Sequence, residues 1–444
     1  MGNNKTRINH NFLHIDDVFR MASDYHKSSL DRGYKDEKRQ IYVIVPDFDE
    51  DPMAVNNTIK NIGYVNQKAK SREMDFMVNG IILSDQSPTE KTKENKAALY
   101  TAKDWLTREC EPSTPIPEIY HLVIGEETDE IIGDYASEFF GGYLKSEKEP
   151  RGKGWNILIS SLATGRYPDD EVGIMYIDAE NEQIGPSQIF AMGFPMYIRD
   201  SKIKFIKAAF DRYHMESGLR KLGGRVNASV FKPFVNMLSN YGLAPMIRYP
   251  LSGEITIRRD VLWDINVARK YGVEWATILQ LLSPVSDKML DMNNEFTEVF
   301  LGINMDQPLG EGKSDREILA DIANMTDQIM NANNAIIGEY MKGEWDTPDT
   351  FMDEFRVEQS EHCGKWSRKF REEGQPVDIT GGITLDAMKS TASERIDENI
   401  RSLYSGEEFD GDLMASMNDV RENIGYSEFD EFLGSMMDAR KKIR

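Results

Sequence analysis

Gly173-Ile174-Met175-Tyr176-Ile177-Asp178-Ala179-Glu180 is the stretch on which the fold turns. Its first five residues form a short apolar run with β-branched members, preceded by the turn-forming Tyr167-Pro168-Asp169-Asp170, and this predicts a buried strand. Asp178 and Glu180 then follow, one residue apart, where the strand leaves the core. In an open α/β sheet, ligands bind just outside the carboxyl ends of the strands. Two hard oxygen donors at such an edge suit a divalent cation beside a diphosphate. An isolated Asp-x-Glu more often does no more than solvate a strand end, so the surrounding sequence has to decide.

Upstream, Ile41-Tyr42-Val43-Ile44-Val45-Pro46 reads as a strand that empties into Asp47-Phe48-Asp49-Glu50-Asp51. A helical pattern covers 55–65, a second strand 78–83 ends in the polar loop 84–89, a helix covers 91–108, and a third strand covers 119–124. Strand, polar loop and helix in repetition predict βαβ units and a mostly parallel sheet. Arg151-Gly152-Lys153-Gly154 opens a helix over 155–163, just before the carboxylate strand. Beyond it, 194–198 and 203–210 suggest further strand and helix pairing. A helix is expected over 229–238, Ile255-Thr256-Ile257-Arg258-Arg259 follows a turn, and an apolar helix runs to residue 282. Phe12, Ile15, Val18, Phe19 and Ala22 recur at helical spacing and predict an N-terminal helical arm over 1–39. Helical patterns dominate from about residue 315 and carry no strand signal. The division expected is therefore an arm (1–39), an α/β domain (40–335) and a helical C-terminal region (336–444) suited to homodimer formation.

Composition narrows the function. The 444 residues are 40% hydrophobic, enough for one large core plus an appendage. The net charge of −22, from 53 basic against 75 acidic residues, repels nucleic-acid phosphates and anionic lipid, and argues against a nucleic-acid partner. Cys110 and Cys363 are the two cysteines, and they imply no disulfide framework, which fits a reducing cytoplasm. No apolar run is long enough to cross a membrane.

Two glycine-rich turns, at Gly152–Gly154 and Gly223–Arg225, precede helices and offer backbone N–H groups to anions. Each alone is more often only a turn. Arg225 adds a guanidinium suited to phosphate or carboxylate, and Lys153 is a phosphate or base contact or a solvated turn lysine. None of the six histidines lies in a pair at metal-ligand spacing; His214 is the nearest in sequence to these motifs. No G-x-S-x-G elbow is present, so serine-hydrolase chemistry has no support.

Taken in order, Arg151-Gly152-Lys153-Gly154, Tyr176-Ile177-Asp178-Ala179-Glu180, Gly223-Gly224-Arg225-Val226, Pro250-Leu251-Ser252-Gly253-Glu254-Ile255-Thr256-Ile257-Arg258-Arg259 and Tyr271-Gly272-Val273-Glu274 resemble the glucosyl-3-phosphoglycerate synthases and their mannosylglycerate-forming relatives. These are retaining glycosyltransferases of the GT-A fold, a Rossmann-like, mostly parallel sheet flanked by helices. The resemblance extends over residues 41–330 and is densest between 151 and 282. It implies that Pro46, Asp47, Asp49, Glu50, Ser84, Asp85, Ser87, Lys153, Asp178 and Ala179 bind a UDP- or GDP-hexose. It implies that Asp178 and Glu180, with Asn304, hold Mg2+ or Mn2+. Gly224, Arg225, Val226, Asn227 and Asp306 fall at the acceptor's place. Glu254 matches a carboxylate that contacts the donor sugar, and Glu274 is expected to support the sugar pocket; with Asp178 they form the catalytic set.

Two departures bear on the acceptor. Asn227 replaces the family's threonine, and Leu301-Gly302-Ile303-Asn304-Met305-Asp306-Gln307-Pro308-Leu309 is shortened and lacks the family's metal-binding histidine. Asp306, at the place of a phosphate-contacting asparagine, would repel a phosphate. The expectation is hexose transfer, glucose first, to 3-phosphoglycerate, glycerate or a similar small anion. The same donor chemistry on a sugar or modified nucleobase, and a catalytically silent nucleotide-sugar-binding interaction protein, stay open as alternatives.

Overall fold

A computed structural model of the chain describes residues 11–32, 38–144, 152–179, 181, 183–198, 201–216, 219–222, 231–305, 314–372, 385–406, 409 and 413–443. The expected first strand is β2 (Gln40–Asp47), which follows an N-terminal β1 (Asn11–His14). Then come β3 (Gly80–Asp85), β4 (Glu118–Val123), β5 (Val172–Tyr176), β6 (Phe205–Glu216) and β7 (Leu219–Leu222). Next are β8 (Ile255–Arg258), β9 (Phe296–Met305) and β10 (Lys441–Lys442). They form one sheet in the order β1-β9-β6-β8-β5-β2-β3-β4-β10, with β7 paired to β6.

The pairs β2–β3, β3–β4, β2–β5, β6–β9 and β1–β9 are parallel, whereas β8 runs antiparallel to both β5 and β6. This is the mostly parallel, helix-flanked α/β architecture expected from the sequence. Both faces of the strands are covered, which is why they read as near-continuous apolar runs. Alternate residues nevertheless face opposite cores, as the twofold side-chain period requires. Tyr42, Ile44, Ile82, Ile174 and Tyr176 enter one core, and Ile41, Val43, Val45, Ile81 and Met175 enter the other.

Besides the short β10, which falls in the region expected to be helical, three elements depart from the sequence reading. Phe12 belongs to β1, so the helix begins only at Ile15 (Ile15–Arg32). The partner that makes 11–14 a strand is β9, far along the chain, and Phe12 and His14 meet Phe300 there at 6.3 and 5.4 Å between ring centroids. β9 itself escaped the pattern because it carries Glu298, buried and accepting the backbone N–H groups of Arg248 (2.8 Å) and Tyr249 (3.0 Å). Residues 194–197 finish a helix, Pro186–Tyr197.

The C-terminal helices pack on the same core as the sheet. Trp345, Phe351, Phe355, Phe429, Phe432 and Met436 join Trp155, Trp263 and Trp275 in one cluster. Trp263 and Phe429 meet edge to face at 5.6 Å, a contact worth about 0.5–1.5 kcal/mol beyond area burial. The helix Asp315–Glu344 starts with a capping box in which Ser314 and Glu317 satisfy each other's backbone N–H. At the far end β10 pairs antiparallel with the edge strand β4, and Lys103 Nζ donates to Ile443 O (2.6 Å). Among the described residues, no helix is long and apolar enough to cross a membrane.

Candidate functional site

The carboxyl ends of β2, β3 and β5 open onto a cavity of about 650 Å3. Its strand-end wall is made by Pro46, Asp47, Phe48, Glu50, Gln86, Gly152, Lys153, Asn156, Asp178 and Ala179. Its other wall is made by Lys270 and Tyr271, with Asn324 and Gln328 from the helix Asp315–Glu344.

Asp178 stands where β5 has left the core. Lys153 Nζ donates to Asp178 Oδ1 at 2.6 Å and lies 2.9 Å from Glu274 Oε1. Burial would lower the lysine's pKa, but the Asp178 and Glu274 charges outweigh it and hold the ammonium well above its usual range. Gly253 passes so close that a Cβ there would overlap Lys153 Nζ and Asp178 Oδ2, so any side chain would have to displace the pair. Ala179 lies beside Asp178, its carbonyl taken by Thr58 Oγ1 (2.9 Å).

Glu254 is fully buried and does not line the cavity. It accepts from Asn181 Nδ2 (2.5 Å) and Ser252 Oγ (2.7 Å), so it braces the Ser252-Gly253-Glu254 turn from behind. Lys207, equally buried, donates to Ser252 O from β6. Burial pushes its ammonium down to about 8, against the opposing pull of Glu274 and Glu254. A lysine in the apolar run Phe205-Ile206-Lys207-Ala208-Ala209-Phe210 was the sequence signal for this group.

At the cavity floor Asp47 and Asp85 sit side by side across the β2–β3 pair, both buried. Ser87 Oγ and Asn95 Nδ2 donate to Asp47 Oδ2 at 2.6 and 2.7 Å. Asp85 accepts from Ser87 N–H (2.8 Å), Asn95 Nδ2 (3.2 Å) and the His121 ring (2.9 Å). Burial, reinforced by the Asp85 charge, raises the Asp47 carboxyl to about 7. Burial acts on Asp85 in the same direction, but hydrogen bonds from His121 and Ser87 outweigh it and hold that carboxyl below its usual range. The two carboxyls are thus pushed apart, Asp47 upwards and Asp85 downwards. Ser87 Oγ also accepts the Asp49 N–H (2.9 Å), which fixes Asp49 at a left-handed φ of 59°. Ser84 is buried, and its carbonyl accepts from Asn156 Nδ2 (2.7 Å).

The glycines of Arg151-Gly152-Lys153-Gly154 serve a different end from the one their pattern suggests. A Cβ on Gly152 would lie 2.6 Å from Arg269 O, and one on Gly154 would overlap Ala268 O. Arg269 O also takes the Trp155 N–H (3.2 Å), one of the donors a helix start offers an anion. The glycines let the 268–270 backbone lie against the turn. Gly272 is tight in the same way, since a Cβ would lie 2.7 Å from Gln328 O.

A divalent cation fits this edge on the chemistry of its donors. Asp178 Oδ1 and Glu274 Oε1 already converge on one positive charge, which concentrates hard oxygen around a cation. Among the described residues no group of three or more His, Cys, Asp or Glu is arranged as a metal site. Glu180, Gly224, Arg225, Val226, Asn227 and Asp306 lie outside the described residues, as do the side chains of Asn304 on β9 and His214 on β6. Phe48 and Gln86 lie inside the two stretches, 46–50 and 84–87, expected to face the nucleotide, whereas sequence reasoning gave no such role to Asn156, Lys270, Tyr271, Asn324 and Gln328. Asn156, a polar residue within Trp155-Asn156-Ile157-Leu158, carried a signal; Asn324 and Gln328 carried none.

No protein-family profile matches the chain. It is similar to a glucosyl-3-phosphoglycerate synthase of Petrotoga mobilis, 27% identical over 188 residues, which are 41% of this chain and 54% of that relative. The chain thus spans about half the length of the curated relative it matches. Among solved structures it is similar to a mannosyl-3-phosphoglycerate synthase from Rubrobacter xylanophilus (17% identity, 76% of this chain, 82% of that one, TM-score 0.47). It is also similar to a glucosyl-3-phosphoglycerate synthase from Mycobacterium tuberculosis in complex with Mn2+, UDP and glucosyl-3-phosphoglycerate (18%, 73% and 84%, TM-score 0.45). The resemblance to this group of glycosyltransferases, first seen in the motifs, thus stands on the 188-residue match as well.

Proposed function

We propose that the protein is a glycosyltransferase that moves a hexose, glucose first, from a UDP- or GDP-sugar to a small anionic acceptor such as 3-phosphoglycerate or glycerate. The observation that carries this reading is the meeting of Asp178, Lys153 and Gly253 at one edge of a cavity large enough for a nucleotide sugar. The match to the Petrotoga synthase supports it.

The bond broken joins the sugar's anomeric carbon to the diphosphate, and the bond formed joins that carbon to an acceptor oxygen. The acceptor's proton passes to a diphosphate oxygen, with retention at the anomeric carbon, so no side chain is named as general base. Pro46, Asp47, Asp49 and Glu50, with the Ser84-Asp85-Gln86-Ser87 loop, would shape the nucleoside end. Lys153 would keep Asp178 and Glu274 in place and contact the nucleotide. Glu254 would act by bracing the Gly253 turn under the sugar. Mg2+ or Mn2+, held by Asp178 with Glu180 and Asn304, would offset the charge that develops on the leaving diphosphate. Gly224, Arg225, Val226, Asn227 and Asp306 are proposed for the acceptor end, where orientation supplies much of the rate. A homodimer in the cytoplasm is the proposed setting, and light scattering would read its mass.

The test is a donor-by-acceptor screen. Purified protein with Mg2+ or Mn2+ is offered UDP-glucose, GDP-glucose and GDP-mannose, each with 3-phosphoglycerate, with glycerate or alone, and nucleotide release is followed. Release that requires one of the acceptors is expected. Release that ignores them would remove the acceptor assignment, and silence in every combination would remove the enzyme reading.

A further inference from the structure

Among the described residues, two lysines line the cavity, Lys153 on the strand-end wall and Lys270 on the opposite wall. Lys153 is already shared between Asp178 (2.6 Å) and Glu274 (2.9 Å), so that trio carries a net negative charge. The metal proposed for Asp178 would answer part of a diphosphate's charge, and a second cation on the facing wall would answer more of it. The other lysine of the lining is Lys270, on the opposite wall, and no carboxylate among the described residues lies within ion-pair distance of it.

Its backbone is held on both sides. The Lys270 Cα lies 3.1 Å from where a Cβ of Gly152 would be, and its carbonyl accepts the Val273 N–H at 3.1 Å. The next residue, Tyr271, donates its N–H to Gln328 Oε1 at 3.1 Å, and Asn324 Oδ1 accepts from Gln328 Nε2 at 2.9 Å. A lysine whose backbone is fixed while its side chain lines a cavity loses less freedom on binding a ligand than one on a mobile loop.

We propose that Lys270 is the residue whose ammonium grips the donor's diphosphate, and that Gln328, through Tyr271, is the positioning residue that holds it there. This rests on reading the cavity as a nucleotide-sugar site. It gives the two lysines different weights: Lys153 reaches the nucleotide while paired with Asp178 and Glu274, and Lys270 brings its charge to the diphosphate. It also makes the helix Asp315–Glu344 part of the binding site.

The experiment is calorimetric binding of UDP, GDP, uridine, guanosine and inorganic pyrophosphate, with Mg2+, to the full chain and to K270M, K270R and Q328L. Charge-assisted contacts to phosphate are about twice as strong as neutral ones, so K270M is expected to weaken UDP or GDP about 10- to 100-fold. K270R should recover most of that loss, nucleoside affinity should stay unchanged, and Q328L should lie between wild type and K270M. Unaltered diphosphate binding by K270M, or an equal loss for nucleoside and nucleotide, would overturn the inference alone. Pyrophosphate bound through Lys270 without any nucleotide binding would support the inference and overturn the donor reading. A wild-type chain that binds none of the five would overturn both.

Discussion

The two walls of the cavity are built by different means. The strand-end wall hangs from β2, β3 and β5, and its charged groups are held by partners in the protein: Lys153 by Asp178 and Glu274, and Asp47 Oδ2 by Ser87 and Asn95, while Asp47 Oδ1 and Asn156 Oδ1 are buried without a hydrogen-bond partner among the described residues. The opposite wall, from Lys270 to Tyr271, takes its shape from close backbone approach at Gly152, Gly154 and Gly272, and its brace from a helix some fifty residues further on. The first wall is stiff because its charges are paired. The second is shaped by the close backbone approach its glycines allow, and it leaves Lys270 with no carboxylate partner among the described residues. Under the proposed function, the first wall would support the chemistry and Lys270 on the second would add attraction for the diphosphate.

Breaking the charge pairing should cost most. Asp178→Asn is expected to lower nucleotide-sugar turnover about 10²–10³-fold, as when one electrostatic group of a preorganised site is removed, while the fold persists; initial rates together with circular dichroism would check this. Lys153→Met leaves Asp178 and Glu274 facing each other without a counter-ion, which should destabilise by about 3 kcal/mol. Urea unfolding would read it, and adding Asp178→Asn should restore part of the loss.

Breaking the glycine contacts should cost less. Gly272→Ala pushes a methyl towards Gln328 O and should lose about 1–3 kcal/mol by overpacking, with diphosphate affinity falling alongside. The Asp47–Asp85 pair sharpens the same contrast through pH. Because folding raises the Asp47 carboxyl to about 7, its contribution to stability is complete below the ordinary carboxylate pKa and is lost as pH rises through 7. The slope between about pH 4 and 7 should be at most about 1.4 kcal/mol per pH unit, and Asp47→Asn should flatten it in urea melts taken across that range. Asp85, whose carboxyl is lowered, acts only at more acid pH.

Most of the strand-end wall was legible beforehand because its parts are local. A β-branched run followed by a carboxylate, or a glycine turn before a helix, lies within ten residues, and the period of the side chains places it on a strand or helix start. Four of the first five strands, β2 to β5, were read that way. What stayed hidden depends on contacts between distant segments. Residues 11–14 became β1 only because β9 lies beside them, and β9 was masked by Glu298, whose burial depends on the Arg248 and Tyr249 backbone. The second wall was hidden for the same reason. Nothing near Gln328 in sequence reveals that its side chain accepts the Tyr271 N–H. Glu254 shows the opposite limit: its motif was visible, but its complete burial behind Gly253 was not.

The most direct test of the central claim, that Asp178 and its cavity form a nucleotide-sugar site, is an equilibrium titration of UDP-glucose and of GDP-glucose into wild type and Asp178→Asn with Mn2+ present. Saturable binding of at least one donor to wild type, weakened tenfold or more in Asp178→Asn, is the expected result. Failure of wild type to bind either donor, or equal affinity in the two proteins, would contradict it.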